Sequence, residues 1–229
     1  MVNQMDVYEI DVKKATPALT GELEWLLGSA VRTELLGMTH LAALAVPLPN
    51  EKGMKYLSDA NDKRLRAGRL MSCSNKKPTE VESCAHLQIL QRYFQNHLNK
   101  CDFFSCTLIN HVVLSSLLIA LYGRVMATAD GDLRQMACAN LKLEEMQSQS
   151  YIGELSDQFS MDEAALTLKA KRIHFECMST VSIAISNNAF AGGPSKNLAG
   201  SVYPVYLRML EEVGIPSELS LSWMASLLQ

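Results

Sequence analysis

From Phe103 to Gly123 the chain reads FFSCTLINHVVLSSLLIALYG, 21 residues without one Asp, Glu, Lys or Arg. A run of that length either crosses a bilayer or lies at the centre of a protein, covered on every side. Asn110 and His111 fall in its middle, with Ser105, Thr107, Ser115 and Ser116 around them. Polar groups at that depth are costly in hydrocarbon. No second span follows, and no basic flank sets a topology. The run therefore predicts the innermost helix of a helical bundle with no membrane contact, and it makes His111 a buried imidazole.

Charge and cysteine usage narrow the setting. The balance is mildly acidic, 21 basic against 24 acidic residues, with no Lys/Arg cluster beside interleaved aromatics. A nucleic-acid partner is not expected on those grounds. Asp6, Glu9 and Asp11 interrupt the place where the apolar part of a signal peptide would lie, so the expectation is a cytoplasmic protein. The six cysteines, at 73, 84, 101, 106, 138 and 177, form no CxxC pair. They read as small core residues of a reducing compartment. The twelve methionines point to an adaptable interior.

Hydrophobic periodicity and punctuation give the organisation. Residues 1–15 read as an arm or short edge strand. Thr16-Pro17 opens a helix that Pro47 and Pro49 stop near Val46. A charged helix spans about Glu51 to Ser72, and the polar run 72–80 is the loop after it. Thr79 with Glu82 matches a capping box for a helix reaching Leu98. The uncharged helix 103–126 follows, then helices at 133–156 and about 161–186. NNAFAGGPSKNLAGS (187–201) reads as the longest loop, and a short helix near Val205–Val213 ends at Gly214-Ile215-Pro216. No segment alternates strongly enough for a sheet. The fold class is all-α, one domain over 1–229, with a core bundle at about 16–186 and a C-terminal loop and helix at 187–229.

Two carboxylates sit on faces that should be buried. Leu23, Leu26, Leu27, Ala30, Gly37, Met38, Leu41, Leu44 and Ala45 mark the inner face of the first helix, and Glu34 lies on it. Leu133, Ala137, Leu141, Ser148, Tyr151 and Leu155 do the same around Glu144, while Glu145 is one step round and solvated. A buried carboxylate needs a cation, a metal or a ligand. The run Asp62-Lys63-Arg64-Leu65-Arg66 supplies cations that neutralise a carboxylate and cannot ligate a metal. Glu34 and Glu144 are thus open to three roles: structural ion pair, acid–base or ligand-contacting group, or metal ligand. For His111 the roles are a satisfied core histidine, a cavity acid–base group or a metal ligand. Glu82 and His86, at i and i+4, form a possible metal clip. In ferritin-like carboxylate proteins, two helices each give a Glu and two others each give a Glu-x-x-His pair. This sequence contains no Glu-x-x-His. At 144–147 it reads Glu-Glu-Met-Gln, with Gln in the place of the imidazole. The run at 192–196, GGPSK, lacks the spacing of a phosphate loop.

Several stretches resemble one family. Leu98-Asn99-Lys100-Cys101-Asp102-Phe103-Phe104 with Thr107 is similar to the NGDFA-x-T junction in the structural subunit of the multicomponent phenylacetyl-CoA epoxidase. LEWLLGSAVRTELLGMTHLA, including Gly37, resembles its first helix. YLSDANDKRLRAGRLM, with Ala60-Asn61 and Gly68, resembles its second. LKLEEMQSQSYIGEL resembles the helix before the last of its bundle. The resemblance covers roughly residues 20–185 and implies a ferritin-like four-helix bundle with additional flanking helices, of the diiron oxygenase class. It implies also the subunit type that has lost its metal ligands and serves as a scaffold.

Three functions follow as expectations. The first is a metal-free ferritin-like scaffold or partner subunit, or a derivative binding a small apolar or acyl-type ligand, in a homo- or hetero-oligomer and without a cofactor. The second is an iron-dependent oxygenase with an atypical ligand set drawn from Glu34, Glu82, His86, His111 and Glu144. The third is a cofactor-free acid–base enzyme using Glu34, His111 or Glu144 in one cavity.

Overall fold

The computed structural model describes residues 21–48, 50–73, 102–182 and 195–227. Helix α1 (Gly21–Ala45) and helix α2 (Asn50–Ser72) form a first hairpin. Helix α3 (Phe103–Thr128) and helix α4 (Gly131–Phe159) form a second that packs against it. Helix α5 begins with Glu163–Ile173 and continues to residue 182. It is followed by α6 (Ser195–Val213) and α7 (Ser217–Leu227). Among the described residues there is no strand. The architecture is a ferritin-like helical bundle of two hairpins, α1–α2 and α3–α4, with flanking helices.

Local chemistry fixes the element ends. Asp102 caps α3, its carboxylate accepting from the Ser105 N–H at 2.9 Å, and Asp162 does the same for Ala165 at the start of α5. Gly131 at φ +57° lets the chain turn from α3 into α4 within three residues. Gly214 at φ +111° ends α6, and the N–H groups of Gly214 and Ile215 turn back to the carbonyls of Glu211 and Leu210.

The uncharged run is the centre of the bundle. Its mean hydropathy over 18 residues is 1.9, and 94% of that window is buried within the protein. It is not a regular helix throughout: Ile109–Leu114 is π-helical, as is His174–Met178 in α5. The extra residue in each wide turn leaves backbone carbonyls for side chains to satisfy. Ser116 does this for the Val113 carbonyl, at 2.8 Å.

Buried polar residues divide the apolar core. On α1, Glu34 lies between the apolar set from Leu23 to Val31 and the set Leu41, Leu44 and Ala45. On α2, Lys63 and Arg66 lie between Tyr56 and Ala60 on one side and Ala67 and Leu70 on the other. On α1 and α2 an ionic layer thus separates a small apolar cluster from the large one, which continues past the layer along α3 and α4.

Two sequence expectations fail at the C-terminal end. α6 starts at Ser195, where the sequence reads as loop until 201, and α7 after Pro216 was not expected. Gly, Pro and Ser letters suggest loop, but Leu198, Val202, Tyr206, Met209, Leu210 and Val213 form a buried stripe. Tertiary burial outweighs the weak propensity of the first turn. Pro204 is accommodated on the exposed side of that helix. The arm 1–15, the capping box at Thr79 and the helix to Leu98 lie outside the described residues.

Among the described residues, three histidines are buried as neutral rings. Burial lowers His40 and His174 to about 4, the latter despite an opposing hydrogen bond to the Trp223 backbone, and drives His111 well below its ordinary value. Unfolded, each binds a proton below about pH 6.5; folded, each resists until far lower. Stability should thus fall as pH drops below 6.5, by about 1.4 kcal/mol per pH unit for each ring. Urea unfolding between pH 7 and 4.5 checks this, and His174→Phe should reduce the slope by about one third.

Candidate functional site: a buried ion cluster

The four bundle helices each send polar side chains into one buried layer. α1 gives Glu34, α2 gives Lys63 and Arg66, α3 gives Ser115 and Tyr122, and α4 gives Glu144. Glu34 and Glu144 are fully buried, as is the Lys63 side chain. Arg66 sets its Nε 2.6 Å and its Nη2 3.0 Å from the two oxygens of Glu34, a fork-on-fork pair. The same Nη2 reaches Glu144 at 2.7 Å. Lys63 Nζ lies 2.9 Å from both oxygens of Glu144 and 3.6 Å from Glu34. Ser115 Oγ donates to Glu144 at 2.6 Å, and the Tyr122 hydroxyl donates to Glu34.

Two carboxylates thus face two cations, so the layer is neutral where isolated charge would be most costly. Burial alone would raise the Glu144 carboxyl, but Lys63, Arg66 and the Ser115 hydroxyl outweigh it and hold the group at about 2. Burial also opposes the charge on Arg66, yet Glu34 and Glu144 push its pKa above the ordinary value. Tyr122 is driven well above its usual value, first by burial and then by Glu34. At neutral pH the carboxylate of Glu144 is charged, and the phenol of Tyr122 keeps its proton.

The cluster reaches toward solvent through Gln147. Arg66 Nη1 donates to the Gln147 carbonyl at 3.1 Å, and the amide nitrogen lies 3.3 Å from both Asp59 and Asp62. Asp59 also accepts from the Tyr151 hydroxyl. Lys55, half exposed, sits 4.1 Å above the Tyr151 ring and 2.9 Å from Glu154.

Of the candidates from sequence, Glu34 and Glu144 come together and His111 does not join them. Its ring stacks on Tyr151, centroids 3.7 Å apart and planes 15° from parallel, and Tyr151 stacks in turn on Tyr56. His111 Nε2 faces the Asn110 amide at 3.2 Å rather than a carboxylate. His111 thus lies beside the layer, where the charges of Lys63 and Glu144 act on its ring, without a hydrogen bond to either glutamate. Glu145 is exposed, as its position on the helix suggests. Glu82 and His86 fall outside the described residues. Sequence reasoning missed Tyr122 and Ser115 as partners. Both lie in a helix apolar on all sides, where no periodicity separates an inward hydroxyl from an inward leucine.

The donor set does not match a carboxylate di-metal template. Among the described residues only two carboxylates enter the layer, and all four of their oxygens accept from Lys63, Arg66, Ser115 or Tyr122. Among the described residues, no three of His, Cys, Asp and Glu converge as metal ligands do.

The fold and the layer together define the class: a ferritin-like bundle whose central site is ionic. Among solved structures, the chain resembles a protein with aldehyde deformylating oxidase activity from Synechococcus. The TM-score is 0.70 at 15% identity, over 90% of this chain and 98% of that one. A likeness at that identity concerns the fold. No protein-family model matches the sequence, and no curated protein matches it.

Removing one partner from a buried pair strands the other charge. Lys63→Ala or Glu144→Ala should each lower stability by about 3–5 kcal/mol. Lys63→Met combined with Glu144→Gln should cost clearly less than the sum of Lys63→Met and Glu144→Gln alone, with a coupling of about 1–3 kcal/mol in urea unfolding. Gly37 supplies a separate check. A Cβ there would lie 2.8 Å from Lys63 Cδ, on a stem whose ammonium is pinned, and 3.2 Å from Asn110 Oδ1. Gly37→Ala should therefore destabilise by about 1–3 kcal/mol, read by the same unfolding.

Proposed function

We propose that this chain is a metal-free ferritin-like protein that acts as a scaffold or partner subunit of an oxygenase. The observation that carries the reading is the neutralisation of Glu34 and Glu144 by Lys63 and Arg66. Protein cations stand where a metal-dependent relative needs further anionic and imidazole ligands. Short motifs give the subunit type: the Asp102-Phe103-Phe104 junction, Gly37 in the first helix and Ala60-Asn61 in the second. They are similar to the structural subunit of phenylacetyl-CoA epoxidase, and the fold likeness is compatible with that relationship without reaching it.

Acid–base catalysis at the same layer is less well supported. A general base works best with a pKa near the operating pH. Glu144, at about 2, is too weak a base, and its oxygens already accept from three side chains.

The test is metal analysis of protein produced with added iron, together with affinity purification from its own cells. The expected result is no stoichiometric metal in this chain, with any iron in a complex belonging to a co-purified subunit. About two equivalents of iron in the isolated chain would overturn the proposal and support an iron-dependent oxygenase.

A further inference from the structure

Glu34, Lys63, Arg66, Ser115, Glu144 and Gln147 converge in one register, of which the sequence shows only the Glu144 and Gln147 spacing. A carboxylate di-metal site takes a Glu from each of two helices and a Glu-x-x-His pair, spaced i and i+3, from each of the other two. In this bundle α1 gives Glu34 and α3 gives Ser115. α2 gives Lys63 and Arg66, spaced i and i+3, and α4 gives Glu144 and Gln147 at the same spacing. All six belong to one contact network. Lys63 joins Glu144 and Glu34; Arg66 joins Glu34, Glu144 and Gln147; and Ser115 joins Glu144.

We infer that these six positions are the complete ligand register of a two-metal centre, with four members exchanged for a set that neutralises itself. Lys63 and Arg66 stand in one Glu-x-x-His slot, Gln147 stands in the imidazole slot of the other, and Ser115 stands in a single-Glu slot. This inference rests on the metal-free reading above and adds the positions by which metal was replaced. Charge supplies the physical reason that the exchange is concerted. Four carboxylates are neutral in a dry layer only around two divalent ions, whereas two carboxylates are neutral against one ammonium and one guanidinium. Changing a single slot leaves the layer charged; changing the α2 pair together with Ser115 converts one neutral state into the other. Gln147 carries no charge and keeps the size of an imidazole ligand, holding Arg66 by its carbonyl.

The inference predicts that Lys63→Glu, Arg66→His, Ser115→Glu and Gln147→His, made together, create a metal centre. The quadruple variant, refolded with and without Co(II), should bind about two equivalents and show the visible absorption of protein-bound Co(II). Its Tm should rise on metal addition, because without metal four carboxylates repel one another. The unaltered protein should bind no Co(II) and show no shift. A folded quadruple variant that takes up no Co(II) overturns the register while leaving the metal-free reading intact. Stoichiometric Co(II) in the unaltered protein overturns the metal-free reading itself. The triple variant Lys63→Glu, Arg66→His and Gln147→His keeps Ser115 and guards against misfolding, since it brings together three carboxylates rather than four. It should bind at least one Co(II) through those carboxylates and the two introduced imidazoles. Circular dichroism verifies its fold, and no uptake by the folded triple variant likewise overturns the register.

Discussion

Electroneutrality of a dry layer is the constraint on which the rest of this bundle depends. Four helices bring two carboxylates, an ammonium and a guanidinium to a depth where no water screens them. An uncompensated charge there would cost several kcal/mol, comparable with the whole stability of a domain. The hydroxyls of Ser115 and Tyr122 take up the remaining acceptor capacity. Apolar side chains of all four helices close around the layer. Such a layer contributes little net stability against a well-packed apolar alternative, so its worth lies in geometry. Each helix can enter in only one register if the charges are to meet.

That geometry explains a glycine and two tyrosines. Lys63 must lay its stem across α1 to reach Glu144, and Gly37 leaves the space for it. Tyr122 spans from α3 to Glu34 on α1, while Tyr151 bridges from α4 to Asp59 on α2. Each tyrosine ties one hairpin to the other beside the ionic layer. The aromatic ladder of Tyr56, Tyr151 and His111 then fills the end of the bundle that the charged groups leave.

Much of the fold is legible in the sequence, because long helices announce themselves by period and punctuation. The uncharged run from Phe103 marks the central helix, and Pro47 ends the first. Glu34 and Glu144 are visible as carboxylates on apolar faces, and the cations of the second helix are visible as their possible partners. What the sequence does not carry is phase. The π-helical turn at Ile109–Leu114 shifts the phase of the helix at His111, which stacks on Tyr151 instead of bonding a glutamate, and no residue type marks such a turn. Which of Lys63, Arg64 and Arg66 turn inward depends on how α2 sits against α1 and α4. The C-terminal helices are misread because Gly, Pro and Ser suggest loop, whereas the stripe from Leu198 to Val213 gains its stability from burial against the bundle.

The wide turn in α3 also sets the phase of everything that follows it. An α-helix advances its side chains by roughly 100° per residue, and a π turn absorbs one additional residue. Were residues 109–114 wound as regular α-helix with none removed, everything after them would rotate by about that angle relative to Asp102. Ser115 and Tyr122 would leave their carboxylates without any side chain having changed, whereas losing one residue within the turn would make α3 regular and keep both in place. In this bundle, the length of one helical turn is as much a determinant of the central layer as the identity of the residues that fill it.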